Sequence, residues 1–250
     1  MHGAAKVRLA HLLLVQHRTN EAHEILKQAL VSQTSNLNLR AYYTHFLLQS
    51  NLFKPALNFV FATLKEFSQR DVYAYCAAAW LHYHFAREIR DPSPEAIRDR
   101  RKKFVNAAEF FEKALHQDPG CAVAAQGLAI IVAEDALGVM SLRPPGEHEN
   151  HETRMKNTRE ALDVFAKIRE SLNDGSVYAN MGHCYYAREE YERAIESVSH
   201  IPGGGDNSDD TRSTRRPRGD STMARMPLSS CACPGRGMRR QPRTRLSNRC

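Results

Sequence analysis

No stretch of this chain stays apolar long enough to cross a bilayer. Its longest apolar run, residues 128–133, is short and sits inside a helical period, whereas a spanning helix needs about 20 such residues. Residues 12–15 are apolar too, but polar and charged neighbours interrupt them and no small-residue cleavage pattern follows, so no secretory leader is expected. The six cysteines lack disulfide-framework spacing, which points to a reducing compartment, the cytosol or the nucleus. Also missing are a Gly-rich phosphate loop, a nucleophile elbow and a paired-carboxylate site. Cys76, Cys121 and Cys184 fall in helical segments and read as small apolar packing residues. Cys231, Cys233 and Cys250 have no second pair of zinc ligands beside them. No enzymatic activity, cofactor, metal or small-molecule substrate is expected.

Charge of one sign is scarce where it would matter most. The net charge is +7, from 35 basic and 28 acidic residues, and residues 198–250 hold 11 Arg, no Lys and four acidic residues. That leaves 24 of each sign in residues 1–197, so the segment with helical periodicity is electroneutral. A bulk-charge argument for nucleic-acid binding therefore fails for that segment.

What is present is repetition. Five short motifs bring an alanine into a helical period, four of them with a large residue four positions on: "NEAHEILKQAL" (Ala22), "KPALNFVFATL" (Ala56), "NAAEFFEKALHQDP" (Ala107, Phe111, Ala114, Pro119), "REALDVFAKI" (Ala161, Phe165) and "ERAIES" (Ala194). Ala22 and Ala56 lie 34 apart and Ala161 and Ala194 lie 33 apart; the two intervening gaps, 51 and 54, equal one period plus an insertion. Upstream of each anchor a small residue marks a partner helix. Ala10 and Gly182 lie 12 residues before Ala22 and Ala194, Thr44 is a weaker match before Ala56, and Gly127 and Ala79 serve Ala161 and Ala107 across the inserts. Helix pairs of this period, with Ala/Gly contacts, an aromatic knob and a closing Asp-Pro, form the tetratricopeptide (TPR) pattern. Close crossing admits only Ala or Gly at the contact points, Phe111 and Phe165 fill the space against the next pair, and Pro119 ends a helix. The expected fold is all-α: a right-handed α-solenoid over residues 1–197, with about four full pairs and an incomplete fifth.

Two insertions interrupt the period. Residues 85–106 contain "REIRDPSPEAIRDRRKKF", where Pro92 and Pro94 break a helix before a basic stretch. "RDRRKK" is read as an exposed charged extension rather than an import signal or phosphate contact, and Ser93-Pro94 has the form of a proline-directed phosphorylation site. The second insertion, 134–158, contains "SLRPPGEHENHET". His148, Glu149, His151 and Glu152 lack the His-Glu-x-x-His spacing, and a Pro-Gly loop would not hold two imidazoles in place, so a solvated loop is expected.

Function then rests on surface. The first helix of each TPR pair lines a groove, and one residue past each small contact position stand His11, His45, Trp80, Leu128 and His183. Gln49, His84 and Tyr186 follow on nearby offsets. Such a lining suits an extended polypeptide. The Lys/Asn/Arg set with which chaperone adaptors clamp a C-terminal carboxylate is not evident.

Four segments, "KVRLAHLLLVQHRTNEAHEILKQAL", "SNLNLRAYYTHFLLQSN", "HQDPGCAVAAQGLAIIVAEDALG" and "NTREALDVFAKIRESLNDGSVYANMGHCYYAREEYERAIES", carry a more specific likeness. Residues 5–197, insertions included, resemble the large TPR scaffold subunits of the RNA polymerase II-associated factor (PAF) transcription-elongation complex, in a fungal-type version truncated at both ends. The resemblance implies a nuclear, non-enzymatic scaffold whose partners are the other PAF subunits and, through them, RNA polymerase II and chromatin. It implies support of histone H2B ubiquitination and H3 methylation, with no membrane and no direct nucleic-acid contact. The alternatives are a chaperone-type peptide adaptor and a nucleic-acid binder acting through the Arg-rich tail.

The pattern fails past Ser197. Val198 stands where an aromatic residue belongs, and Pro202 with three glycines opposes further helix. Residues 198–250 carry 5 Pro and 6 Gly and have no apolar stripe, so a disordered tail is expected. The Arg-without-Lys bias and the Val-Ser junction favour translated intron or another mis-spliced boundary over a selected binding arm.

Overall fold

The computed structural model describes residues 3–67, 70–135, 147–172 and 175–201. Among them run ten helices and no strand: α1 (Gly3–Val15), α2 (Thr19–Ser32), α3 (Leu37–Gln49), α4 (Phe53–Glu66), α5 (Val72–Glu88), α6 (Pro94–Gln117), α7 (Ala122–Asp135), α8 (Glu147–Ile168), α9 (Ser176–Ala187) and α10 (Tyr191–Ser199). Each odd-numbered helix packs on the even one that follows it, and each even one on the next odd one. Successive odd helices also touch directly, whereas successive even helices meet at most marginally among the described residues. The odd layer is thus the more closely spaced of the two, which puts it on the inside of the bend.

Burial follows from these positions. The even helices bury one stripe each: Ala22, Leu26 and Ala29 on α2, Ala56, Val60 and Leu64 on α4, Phe104, Ala107, Phe111 and Ala114 on α6, and Ala161, Phe165 and Ile168 on α8. Each odd helix after α1 is wedged between two even ones, and α5 accordingly buries residues on all sides, from Ala74 to Ala86. Ala10, Gly127 and Gly182 are buried where helices cross, while Pro119 is exposed in the turn after α6.

Three of the five turns within pairs share one backbone solution. His17, Asn51 and Glu189 have φ of 60°, 57° and 65°. In each turn the next residue's N–H returns to a carbonyl five residues back: Arg18 to Leu13 (2.8 Å), Leu52 to Leu47 (2.9 Å) and Glu190 to Tyr185 (3.0 Å). This is the Schellman closure, which satisfies the last carbonyls of the first helix. The helices that follow, α2, α4 and α10, start without a side-chain cap. Where the turn is longer a side chain takes over: Asn36 accepts from Leu39 N, Asp71 from Tyr73 N and Ser93 from Ala96 N.

Both insertions contribute helix among the described residues. Residues 94–106 form the front half of α6, 24 residues long, started by Ser93 as cap and Pro94 in the first turn. From Glu147 onward the second insertion is the front of α8, 22 residues long. The solvated-loop expectation for His148, Glu149, His151 and Glu152 is therefore corrected: all four lie on a helix, and strong helix formers outweigh the Pro-Gly signal just before them. His151 and Glu152 are exposed, and no cluster of three His, Cys, Asp or Glu suited to a metal occurs among the described residues. Residues 136–146 lie outside the described residues.

The array also continues past residue 197. Val198 and Ser199 extend α10, and a Cβ on Gly182 would stand 2.9 Å from Val198 Cγ2. His200 stacks on Tyr178 at 5.7 Å, and Ile201 lies against Gly175. The chain beyond the expected end thus still contacts α9 and its approach. The expected Arg-rich tail from 202 onward lies outside the described residues.

Candidate partner-binding groove

The inner layer places the expected groove residues on α1, α3, α5, α7 and α9, with unequal outcomes. His11, Gln49, His183 and Tyr186 are exposed, and Tyr186 remains 66% accessible. His45, His84 and Leu128 are half-buried. The His45 Nδ1 atom is buried without a hydrogen-bond partner, and burial pushes its imidazole below the ordinary value. His84 turns toward the second pair, its ring 4.1 Å from that of Phe53 on α4 and its Nε2 3.2 Å from Glu88 Oε1.

Trp80 does not line a groove. It is buried, edge-on to Tyr83 at 5.3 Å and to Phe111 at 5.5 Å. Phe111 of α6 lies deep between the third and fourth pairs, and the indole packs against it there. Gly127 explains the depth: a Cβ at that position would stand 2.1 Å from Phe111 Cζ, so the ring lies directly on the α7 backbone.

Side-chain clusters that the repeat pattern does not announce hold the pairs together. Arg40, buried on α3, donates from Nε to the Thr34 carbonyl (2.9 Å) and from Nη1 to Thr63 Oγ1 (3.0 Å), and pairs with Glu66. Its guanidinium lies over the Phe59 and Phe67 rings at 5.5 and 5.1 Å. Between α5 and α7, the Tyr83 hydroxyl donates to Glu134 Oε1 (2.5 Å) and accepts from Arg87 Nη1 (3.1 Å), and Arg87 also pairs with Glu134. Burial pushes both the Tyr83 phenol and the Glu134 carboxyl above their ordinary values. At the other end of the same two helices the sulfurs of Cys76 and Cys121 lie 3.9 Å apart. Further on, Gln126 Nε2 donates to Ser176 Oγ (2.7 Å), and Arg154 Nε to the Ala187 carbonyl (2.8 Å).

Apart from Arg40 with Thr34 and Arg87 with Tyr83, these hydrogen bonds join residues 23 to 51 apart in sequence, beyond the reach of any local pattern. One partial signal existed. Cys121 directly follows "DPG", which places it at a helix start rather than within a helix.

Paired antiparallel helices, small residues at the crossings and an inner layer of first helices define a TPR solenoid, and solved structures share that fold. The thermophilic TPR protein TTC0263 of Thermus thermophilus matches 79% of this chain and 89% of its own with a TM-score of 0.56 at 15% identity. Pseudomonas aeruginosa pilF matches 82% of this chain and 78% of its own with a TM-score of 0.53 at 18% identity. Among curated proteins, the chain is 27% identical over 210 residues to the RNA polymerase-associated protein CTR9 of Saccharomyces cerevisiae, covering 82% of this chain and 18% of that protein. It is 23% identical over 201 residues to Tetratricopeptide repeat protein 1 of Schizosaccharomyces pombe, covering 79% of this chain and 17% of that protein. The chain thus spans less than a fifth of either curated relative. No protein-family model matches it.

Proposed function

We propose that this chain is part of a protein-interaction scaffold of the CTR9 kind, acting by binding rather than by catalysis. The observation that carries the reading is the similarity to CTR9 over 210 residues. The TPR architecture supports it physically, because an inner layer with exposed His11, Gln49, His183 and Tyr186 offers an extended polypeptide both ring faces and polar tips. On this reading its partners are other PAF-complex subunits, its setting is the nucleus, and its output is transcription elongation with the histone modification coupled to it.

Affinity purification of the tagged full-length chain from its own cells tests the assignment. Recovery of PAF subunits and RNA polymerase II is the expected result. Recovery of chaperones through their C-terminal peptides, without elongation factors, would overturn it in favour of a peptide adaptor. A His183→Ala/Tyr186→Ala variant should lose at least about tenfold in partner recovery, as expected for an aromatic anchor, while its unfolding temperature stays within a few degrees of wild type. Undiminished recovery would remove the groove from the proposal.

A further inference from the structure

We propose that Cys76 and Cys121 are a peroxide-responsive thiol pair, with Cys121 the attacking and Cys76 the resolving sulfur, whose disulfide fastens α5 to α7. This inference is independent of which partner the scaffold holds.

The geometry assigns the roles. The two sulfurs are in contact at 3.9 Å across two helix pairs, and a disulfide needs a closure to about 2.05 Å. Cys121 stands immediately before α7, where the Val123 and Ala124 amides face its sulfur and stabilise a thiolate, as the positive end of a helix does. A hydrogen bond from Cys76 is the largest influence in the same direction. Burial and the Asp118 carboxylate oppose it, and the Cys121 thiol is lowered to about 7. Cys121 is half-buried, open enough for a small oxidant, whereas Cys76 is fully buried and can be reached only by its neighbour. Cys184 on α9 is an internal control: it is buried and burial pushes its thiol up to about 12.

The chemistry balances with one hydroperoxide, hydrogen peroxide being the smallest. The Cys121 thiolate attacks a peroxide oxygen; the O–O bond breaks, an S–O bond forms, and the departing hydroxide takes a proton to leave as water. Cys76 then attacks the sulfenic sulfur; an S–S bond forms, the S–O bond breaks, and the hydroxyl leaves with the Cys76 proton as a second water. Two thiols lose two electrons in all, and one peroxide is reduced to two waters.

The test uses the reduced full-length chain exposed to hydrogen peroxide at pH 7. Free thiols are alkylated before reduction, newly freed ones are labelled with a second reagent afterwards, and all six cysteines are mapped by peptide. Expected is joint protection of Cys76 and Cys121, a cross-linked peptide joining them, and Cys184 still free. In Cys76→Ala, a substitution small and apolar enough for the buried site, Cys121 should instead accumulate as a sulfenic acid that dimedone traps. Without peroxide, Cys121 should alkylate at least about tenfold faster than Cys184 at pH 7. The proposal is overturned if Cys121 reacts no faster than Cys184. It also falls if the wild-type chain stops at the sulfenic acid, or if Cys121 joins Cys231, Cys233 or Cys250 in preference to Cys76. The wild-type readings decide the matter whether or not the variant folds.

Discussion

Helices α6 and α10 carry the same short motif, an alanine followed four residues later by a larger apolar side chain, in opposite surroundings. On α6 the alanine is Ala107 and the larger residue Phe111, both fully buried, with the ring pressed onto Gly127 of the following pair. On α10 they are Ala194, buried, and Val198, 51% exposed, and Tyr191 and Ile195 beside it are 53% and 72% exposed. The alanine serves the contact inside a pair, which both helices have. The larger residue serves the contact between pairs, and its burial depends on a neighbour that, among the described residues, covers α6 and not α10. The two glycines draw the same line: Gly127 closes on the preceding pair, Gly182 on the second helix of its own.

Substitutions at matched positions should break the likeness or sharpen it. Phe111→Ala should cost about 3–5 kcal/mol in urea unfolding, as for a fully enclosed ring, while Val198→Ala should cost less than about 1 kcal/mol. Equal costs would mean that the between-pair contact contributes no more than the half-exposed one. Next in size, Gly127→Ala should destabilise by about 1–3 kcal/mol because its new methyl meets a ring with nowhere to go. Gly182→Ala, which meets a half-exposed valine and gains helix propensity, should stay within about 1 kcal/mol of wild type.

The smallest expected effect is a pH dependence at the same between-pair contact. Burial holds the Glu134 carboxyl above its ordinary value although Tyr83 and Arg87 pull the other way. A carboxyl with a raised folded pKa binds its proton more readily in the native state, so its ionisation destabilises the fold above that pKa and the effect is relieved as pH falls. Glu134→Gln removes the relief. Relative to wild type, the variant should therefore lose ground as pH drops from 7 into the carboxylate range. A stability difference that does not change with pH would show that Glu134 is not perturbed in this way.

The helix pairs were legible because each buried alanine answers to a local spacing, and because glycine and alanine tolerate close crossing where larger residues do not. The long α6 and α8 were not. Proline, glycine and charge suggested interruption, yet Ser93-Pro94-Glu95 is also a good helix start. The inner layer of first helices was legible, whereas Trp80, expected on its open face, is buried. A fixed offset cannot tell a ring facing solvent from one packed into the junction between pairs. Contacts such as Tyr83 with Glu134 or Cys76 with Cys121 leave no periodic trace, since each depends on the placement of two pairs at once.

The turns at His17, Asn51 and Glu189 share a torsion angle and a hydrogen-bond pattern but no side-chain chemistry: an imidazole, an amide and a carboxylate occupy one backbone shape. What the three sites have in common is conformation rather than residue identity. The positions that redirect the chain are therefore open to side chains of unlike chemistry, provided each can take the left-handed backbone region.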